Sequence, residues 1–268
     1  MHRAAPWRSP VFLRWIVGQD LLITLLIGCI VGLSSGLFGI GGALIATPLL
    51  NTILGMPPLL ALATPLPVAI PSALTGTITY HRYGLIDFRS AKKVLIGALP
   101  ANIAGVFATK LVGGTGLMVL TGVFLGYVGI TFFIRGWLQR EEPDRQERDK
   151  TGLLIATGAF AGFLSGLLAI GGGIVMVPAF IRFSHMKMKK ALATSLFCVA
   201  ILSIPSSVGH LWLEHIDLSY MFVLMISAVP LSYVGTRLAI AMRNKVLERA
   251  FGTFTIVFAL YFLLRQML

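Results

Sequence analysis

Six glycines in two clusters, Gly39, Gly41 and Gly42 and then Gly171, Gly172 and Gly173, are the residues of this chain whose type and spacing could do chemistry. Each cluster lies inside a long apolar run, and a glycine in a helix interior costs about 1 kcal/mol relative to alanine. The spacing therefore predicts a helix break at each cluster and a new helix from Ala43 onward and from Ile174 onward. The first N–H groups of a new helix have no intrahelical partner and carry the positive end of its dipole. Two such helix starts, one from each cluster, would make a cradle for a small anion. A plain kink without a ligand is the alternative, since membrane helices tolerate glycine and proline for packing alone. Nucleotide binding does not fit, because no Lys-Ser or Lys-Thr follows the glycines as a phosphate loop requires.

Polar side chains that could complete the cradle lie close in sequence. Ser35 and Gly36 precede the first break, and Ser165 and Gly166 the second. Thr64-Pro65 and Thr194-Ser195 open the next apolar run in each case, followed by Pro67, Pro71 and Ser72 in one and Pro205, Ser206 and Ser207 in the other. Hydroxyls beside proline-freed carbonyls can bind a ligand or rebond the helix. The candidate substrate site is thus Ser35, Gly36, Gly39, Gly41, Gly42, Ala43 and Thr64 with Ser165, Gly166, Gly171, Gly172, Gly173, Thr194 and Ser195.

Other chemistries find little footing. Ionisable residues inside spans mark proton or cation paths, yet Asp20, Asp87, Glu214 and Asp217 all fall at predicted span ends. His81, His185, His210 and His215 stand near loops without a second ligand at metal spacing, and are expected to be interfacial rather than metal ligands. No serine has a plausible His and Asp partner at the same depth, so catalysis is not expected. Neither a cofactor nor a metal is predicted. Cys29 and Cys198 lie in apolar segments, where a free cysteine behaves as a small hydrophobe.

The elements that position the clusters form a repeat. The run Gly32-Leu33-Ser34-Ser35-Gly36-Leu37-Phe38-Gly39-Ile40-Gly41-Gly42 recurs 130 residues later as Gly162 to Gly172. Without a gap, Pro48 falls on Pro178, Ala61-Leu62-Ala63-Thr64 on Ala191-Leu192-Ala193-Thr194, Ile86-Asp87 on Ile216-Asp217, Pro100 on Pro230 and Gly105 on Gly235. Of the 268 residues 56% are hydrophobic and 12% charged, and the mean hydropathy is +0.87. That leaves too few polar residues to cover a water-soluble globule, so the chain is an integral membrane protein. Gly28, Gly32 and Gly36, and likewise Gly158, Gly162 and Gly166, recur every four residues and line one helix face for close packing. The predicted fold is an all-α polytopic bundle of two inverted-topology repeats, each a glycine-broken helix followed by three further helices. Residues 1–14 form an interfacial segment, 15–138 the first repeat, 139–150 a charged linker and 151–268 the second repeat.

Loop charge bears on topology. The net charge of +12 is scattered over short loops, which argues against nucleic acid and for the positive-inside bias. If each glycine-broken run crosses once, the loop and terminal cations divide twelve against eight; if each doubles back at its glycines, they divide fifteen against five. The second arrangement is favoured, puts Arg82 to Lys93, the linker, Arg182 to Lys190 and Arg243 to Arg249 on the cytoplasmic face, and inverts one repeat relative to the other.

These residues resemble the TauE/SafE sulfite exporter family, the toluene sulfonate uptake permeases. The motif Gly-x-x-Ser-Gly-x-x-Gly-x-Gly-Gly, with a hydrophobic helix and a proline behind it, stands as Gly32 to Pro48 and again as Gly162 to Pro178. Ala193-Thr194-Ser195 matches the family's Ala-Thr-Ser element, and Gly84-Leu85-Ile86-Asp87-Phe88-Arg89 resembles its Gly-x-Ile-Asp-Trp-Arg loop. The departures are Pro65 after Thr64, Phe88 in place of Trp, and Leu218-Ser219 without an Arg after Asp217. The resemblance implies transport of sulfite, an organosulfonate or a sulfur-containing carboxylate, commonly outward, across the bacterial inner membrane. The expected mechanism is alternating access of two repeats around a midplane anion site, with the bilayer and a small anion as partners and self-association left open. A passive anion channel and a non-transporting scaffold for a sulfur-metabolism partner stay open beside it.

Overall fold

A computed structural model describes residues 19–138 and 151–267, so the expected interfacial segment 1–14 and charged linker 139–150 lie outside the described residues. Eleven α-helices and no strand occur among them. The first half holds α1 (Gln19–Phe38), α2 (Ala43–Ile53), α3 (Pro58–Ala63), α4 (Pro65–Arg82), α5 (Phe88–Ala108) and α6 (Gly114–Leu138). The second holds α7 (Thr151–Leu168), α8 (Gly173–Phe183), α9 (Met188–Trp212), α10 (Leu218–Ala241) and α11 (Asn244–Met267). The 130-residue offset carries α2 onto α8 end for end, and the α3–α4 pair onto α9. Pro65 and Pro67, which remove backbone donors, divide at Thr64 what α9 keeps continuous.

Among the described residues six helices are long and apolar enough to cross a membrane: α1, the α3–α4 pair, α5 with the 3₁₀ turn that ends it, α7, α9 and α10. The protein is therefore an all-α, multi-pass membrane protein. On α1 the outward face carries Leu22, Leu26 and Ile30, 63%, 56% and 49% exposed, as lipid contact requires. The opposite face is the glycine ladder.

That ladder does not pack within its own half. A Cβ on Gly28, Gly32 or Gly36 would collide with Ser227, Ala228 or Ser232 of α10, and one on Gly158, Gly162 or Gly166 with Val94, Ala98 or Asn102 of α5. The broken helix of each half is thus pressed backbone to backbone on a helix of the other. Glycine answers from the opposite side as well: Gly105 meets the Phe163 carbonyl and Gly235 that of Leu33. Without a hydrophobic driving force between helices in lipid, such close van der Waals approach is a principal source of association.

The order of these contacts fixes helix directions. Along α1 and α10 the rungs rise together, so the two are parallel, and the same holds for α7 and α5. The α4 helix follows α10, with Ser232 Oγ donating to the Ser72 carbonyl at 2.7 Å and Arg237 Nη1 to the Tyr83 hydroxyl at 3.1 Å. Likewise α9 follows α5, through Asn102 with Ser206 and Gly209 with Val106. Between the two sets the direction reverses: the start of α4 meets the turn after α9, and the start of α9 meets the turn after α4. Equivalent helices of the two halves run antiparallel, which does not conflict with an inverted repeat.

Each broken run doubles back. Gly42 returns against Val31 and Ser35, and Gly172 against Ala161 and Ser165, so α2 and α8 fold back along the helices they follow. The start of α8 is Gly173, one residue before the expected Ile174, because Gly172 takes the left-handed capping position and Gly173 stands where Ala43 does. With these directions Arg82, Arg89, Lys92, Lys93, Arg182, Lys187, Lys189, Lys190, Arg243, Lys245 and Arg249 gather at one end of the bundle. Lys110 marks the other.

Gly32→Ala and Gly162→Ala should each lower stability by about 1–3 kcal/mol, because the added methyl meets rigid backbone. Gly113→Ala, which meets nothing within 4 Å, should leave it within about 0.5 kcal/mol. Thermal unfolding of the purified protein in detergent measures both.

Candidate functional site

The two breaks touch. A Cβ on Gly173 would lie 2.6 Å from the Gly39 carbonyl oxygen and 2.7 Å from Ile40 Cα, and one on Gly171 would lie 3.6 Å from the Ile40 carbonyl. Every residue from Gly39 to Ala43 and from Ala169 to Ile174 is buried. Gly42 and Gly172 both have φ +74°, a left-handed conformation that turns the chain sharply into α2 and α8. Where the first half has Gly39 at φ +65°, the second has Ala169 at φ +53°.

Both new helices start without a side-chain cap. In α2 the amides of Ile45 and Ala46 are the first to find an acceptor, the Gly42 carbonyl at 3.0 and 3.2 Å; in α8 Val175 and Met176 reach the Gly172 carbonyl, both at 3.2 Å. The amides of Gly42, Ala43 and Leu44, and of Gly172, Gly173 and Ile174, come before any intrahelical partner. Beside each start lies a hydroxyl that makes no hydrogen bond: Ser35 next to Gly42 and Ser165 next to Gly172, both wholly buried. A buried hydroxyl without a partner is costly, and here the same cost recurs at two positions 130 residues apart.

The remaining sequence candidates serve the frame around these starts. Ser195 Oγ donates to the Gly39 carbonyl at 3.1 Å and lies 3.3 Å from that of Gly173, so one hydroxyl ties both breaks. Thr64 Oγ1 accepts from the Asp217 amide and Thr194 Oγ1 from the Asp87 amide, each at 3.0 Å, a reciprocal clasp between the halves. The two aspartates cap α10 and α5 with their carboxylates, Asp217 to the Ser219 and Tyr220 amides and Asp87 to those of Arg89 and Ser90. Gly36 and Gly166 belong to the ladders. Their carbonyls, freed at the ends of α1 and α7, accept from Tyr80 Oη at 3.1 Å and His210 Nε2 at 3.0 Å.

Tyr80 and His210 occupy the same repeat position and escaped sequence reasoning. His210, expected at the interface, is fully buried on α9. Since a carbonyl can only accept, Nε2 carries the hydrogen, and Nδ1 faces His215 Nδ1 at 3.3 Å. Asn102, which exchanges hydrogen bonds with Ser206 at 2.8 and 2.9 Å, was also missed. A polar residue inside a span was the available signal for Asn102, whereas Tyr80 and His210 stand two residues from the ends of α4 and α9. Ser72, Thr77, Ser203 and Ser207 add four more buried hydroxyls without partners on α4 and α9. No metal-binding cluster occurs among the described residues.

Two predictions follow from the frame. Thr64→Val and Thr194→Val keep the side-chain shape but strip an amide of its acceptor, and each should cost about 1 kcal/mol in thermal unfolding. In the turn after α9, burial and then Lys110 hold the His215 pKa below its ordinary 6.5. The folded protein takes up this proton less readily than the unfolded chain, so stability falls as pH drops below 6.5. His215→Gln should lessen that fall in melting temperature between pH 7 and the acid side of 6.5.

Comparison with known proteins places the chain among membrane transporters. No solved structure matches the chain. A probable membrane transporter protein of Xylella fastidiosa is 29% identical over 256 residues, 92% of this chain and 97% of its own length. The probable membrane transporter protein YunE of Bacillus subtilis is 28% identical over 250 residues, 85% of this chain and 90% of its own. A probable membrane transporter protein of Methanocaldococcus jannaschii is 26% identical over 238 residues, 84% and 87%. The profile of the family described as Sulfite exporter TauE/SafE matches residues 24–262, both halves and both breaks included, and the chain belongs to this family of membrane transporters.

Proposed function

We propose that the protein carries a small oxyanion, sulfite or an organosulfonate or sulfur-containing carboxylate, outward across the bacterial inner membrane by alternating access of its two halves. One observation carries the reading: the two breaks touch, each opens an uncapped helix, and beside each helix start lies an unpartnered, wholly buried hydroxyl. Helix-start amides and hydroxyls are hydrogen-bond donors aimed at negative charge. No formal cation stands in the site, which suits an anion that must bind and then leave. In this reading Ser35 with the amides at Gly42 and Ala43, and Ser165 with those at Gly172 and Gly173, hold the anion's oxygens. Gly39, Gly41 and Gly171 shape the turns, and Thr64, Thr194 and Ser195 hold the halves in register. The name of the family, sulfite exporter, supports the substrate class and direction. The site's burial supports an occluded state from which either side can open.

The test is counterflow in liposomes containing only this protein, with labelled sulfite inside and sulfite, thiosulfate, taurine, sulfoacetate, sulfate or chloride outside. Sulfite or a sulfonate should stimulate exchange, and chloride should not. Ser35→Ala and Ser165→Ala remove donors to a charged ligand, so each should weaken apparent affinity about tenfold. Because those hydroxyls lack protein partners, the melting temperature should stay level or rise. A double variant that exchanges every anion like the parent would sink the cradle, and flux without trans-stimulation would make the protein a channel.

A further inference from the structure

An open cavity lies away from the breaks, on the flank where α5 of one half meets α9 of the other. It is an open groove of about 420 Å³ lined by Phe88, Lys92, Leu95, Ile96 and Leu99 of α5 and by Phe197 of α9. The α5 residues recur at helical spacing and form one stripe. Phe88 closes the groove's end against Phe197, ring centroids 5.3 Å apart and edge to face. Exposed apolar side chains alone are ordinary on a helix that faces lipid, but this is a recess with a cation in its wall. Lys92 is exposed and pairs with no carboxylate among the described residues.

The repeat supplies an internal comparison. At the equivalent place on the opposite end of the bundle stand Leu218, Phe222, Met225, Ile226 and Val229 of α10, with Pro67 for Phe197. Phe222 takes the place of Lys92, so the cation occurs only in the groove near the end where the basic residues gather. That end is cytoplasmic by the positive-inside rule. Basic pockets between membrane helices on that side suit anionic headgroups, and a lysine on its flexible stem reaches the interface from within the hydrocarbon.

We propose that this groove binds an anionic phospholipid, with the Lys92 ammonium on the headgroup phosphate and an acyl chain laid along Leu95, Ile96 and Leu99. The bound lipid would bridge the two halves beside their cytoplasmic clasp, since Phe88 follows Asp87 and Phe197 lies three residues beyond Thr194. The inference rests on the membrane fold and not on the identity of the transported anion.

Native mass spectrometry of the full-length protein, titrated with phosphatidylglycerol or phosphatidylcholine of identical chains, tests it. The parent should retain phosphatidylglycerol preferentially. Lys92→Phe, which installs the residue of the other repeat, should cut that preference about fivefold, while Lys187→Ala, at the same end but outside the groove, should keep it. Leu95→Trp, which fills the recess, should weaken retention of both lipids. The proposal is overturned if the parent shows no preference, if Lys92→Phe keeps it, or if Lys187→Ala loses as much, since charge anywhere on that face would then suffice. Displacement of the lipid by free glycerol phosphate would also overturn it, because the acyl chain would then contribute nothing.

Discussion

A helix cannot stop inside a bilayer unless something takes up the backbone groups that the stop exposes. The breaks after Phe38 and Leu168 free carbonyls at the ends of α1 and α7 and amides at the starts of α2 and α8. Several carbonyls at the breaks are met from within the protein: Gly36 by Tyr80, Gly166 by His210, and Gly39 by Ser195. The amides are not capped by any side chain. The centre of the molecule thus holds helix-start amides that no side chain caps, and the proposed anion site rests on these donors. The glycine ladders serve the same end, because only backbone-close packing of α1 on α10 and α7 on α5 brings the two breaks into contact.

The repeat is close to exact in its frame and inexact at its chemistry. The clasps between Thr64 and Asp217 and between Thr194 and Asp87 are matched in partner and in distance. Ser195, by contrast, has Pro65 as its counterpart, so one hydroxyl must serve both breaks, and His210 does with a titratable ring what Tyr80 does with a phenol. Asn102 bonds Ser206, whereas its counterpart Ser232 reaches the Ser72 carbonyl. A duplicated unit that kept perfect symmetry would present identical faces to both sides of the membrane.

Much of this was legible in the sequence, for physical reasons that differ by feature. The 130-residue offset survives because equivalent helices bury equivalent faces, so α2 and α8 match end for end. Doubling back at Gly42 and Gly172 was visible in loop charge, since cations segregate by side whatever the packing. Close packing of the ladders was visible in the four-residue spacing, but their partners in the opposite half were not, because spacing states which face is flat and not what lies against it. The roles of Thr64 and Thr194 were hidden for the same reason. A hydroxyl early in a helix looks alike whether it meets a ligand or an amide 153 or 107 residues away. His210 looked interfacial from its distance to the loop, and only the turn of α9 that aims it at Gly166 shows otherwise.

The clasps bear directly on how the proposed cycle could be balanced. One ties the start of α4 to the turn after α9 at the end marked by Lys110, and the other ties the start of α9 to the turn after α4 at the basic end. If the halves rock against each other, opening one end breaks one clasp and leaves the other whole, so the inward-open and outward-open states lose the same hydrogen bond. Each is worth about 1 kcal/mol, which keeps either opening within thermal reach. The symmetry is broken by Lys190, whose ammonium lies 3.8 Å from Asp87, while the equivalent position beside Asp217 is Leu60. Both partners of that pair are partly exposed, so its contribution is at most about 1 kcal/mol. A bias of that size would favour closure of the basic end by about fivefold at most and would still yield to the binding energy of a small anion.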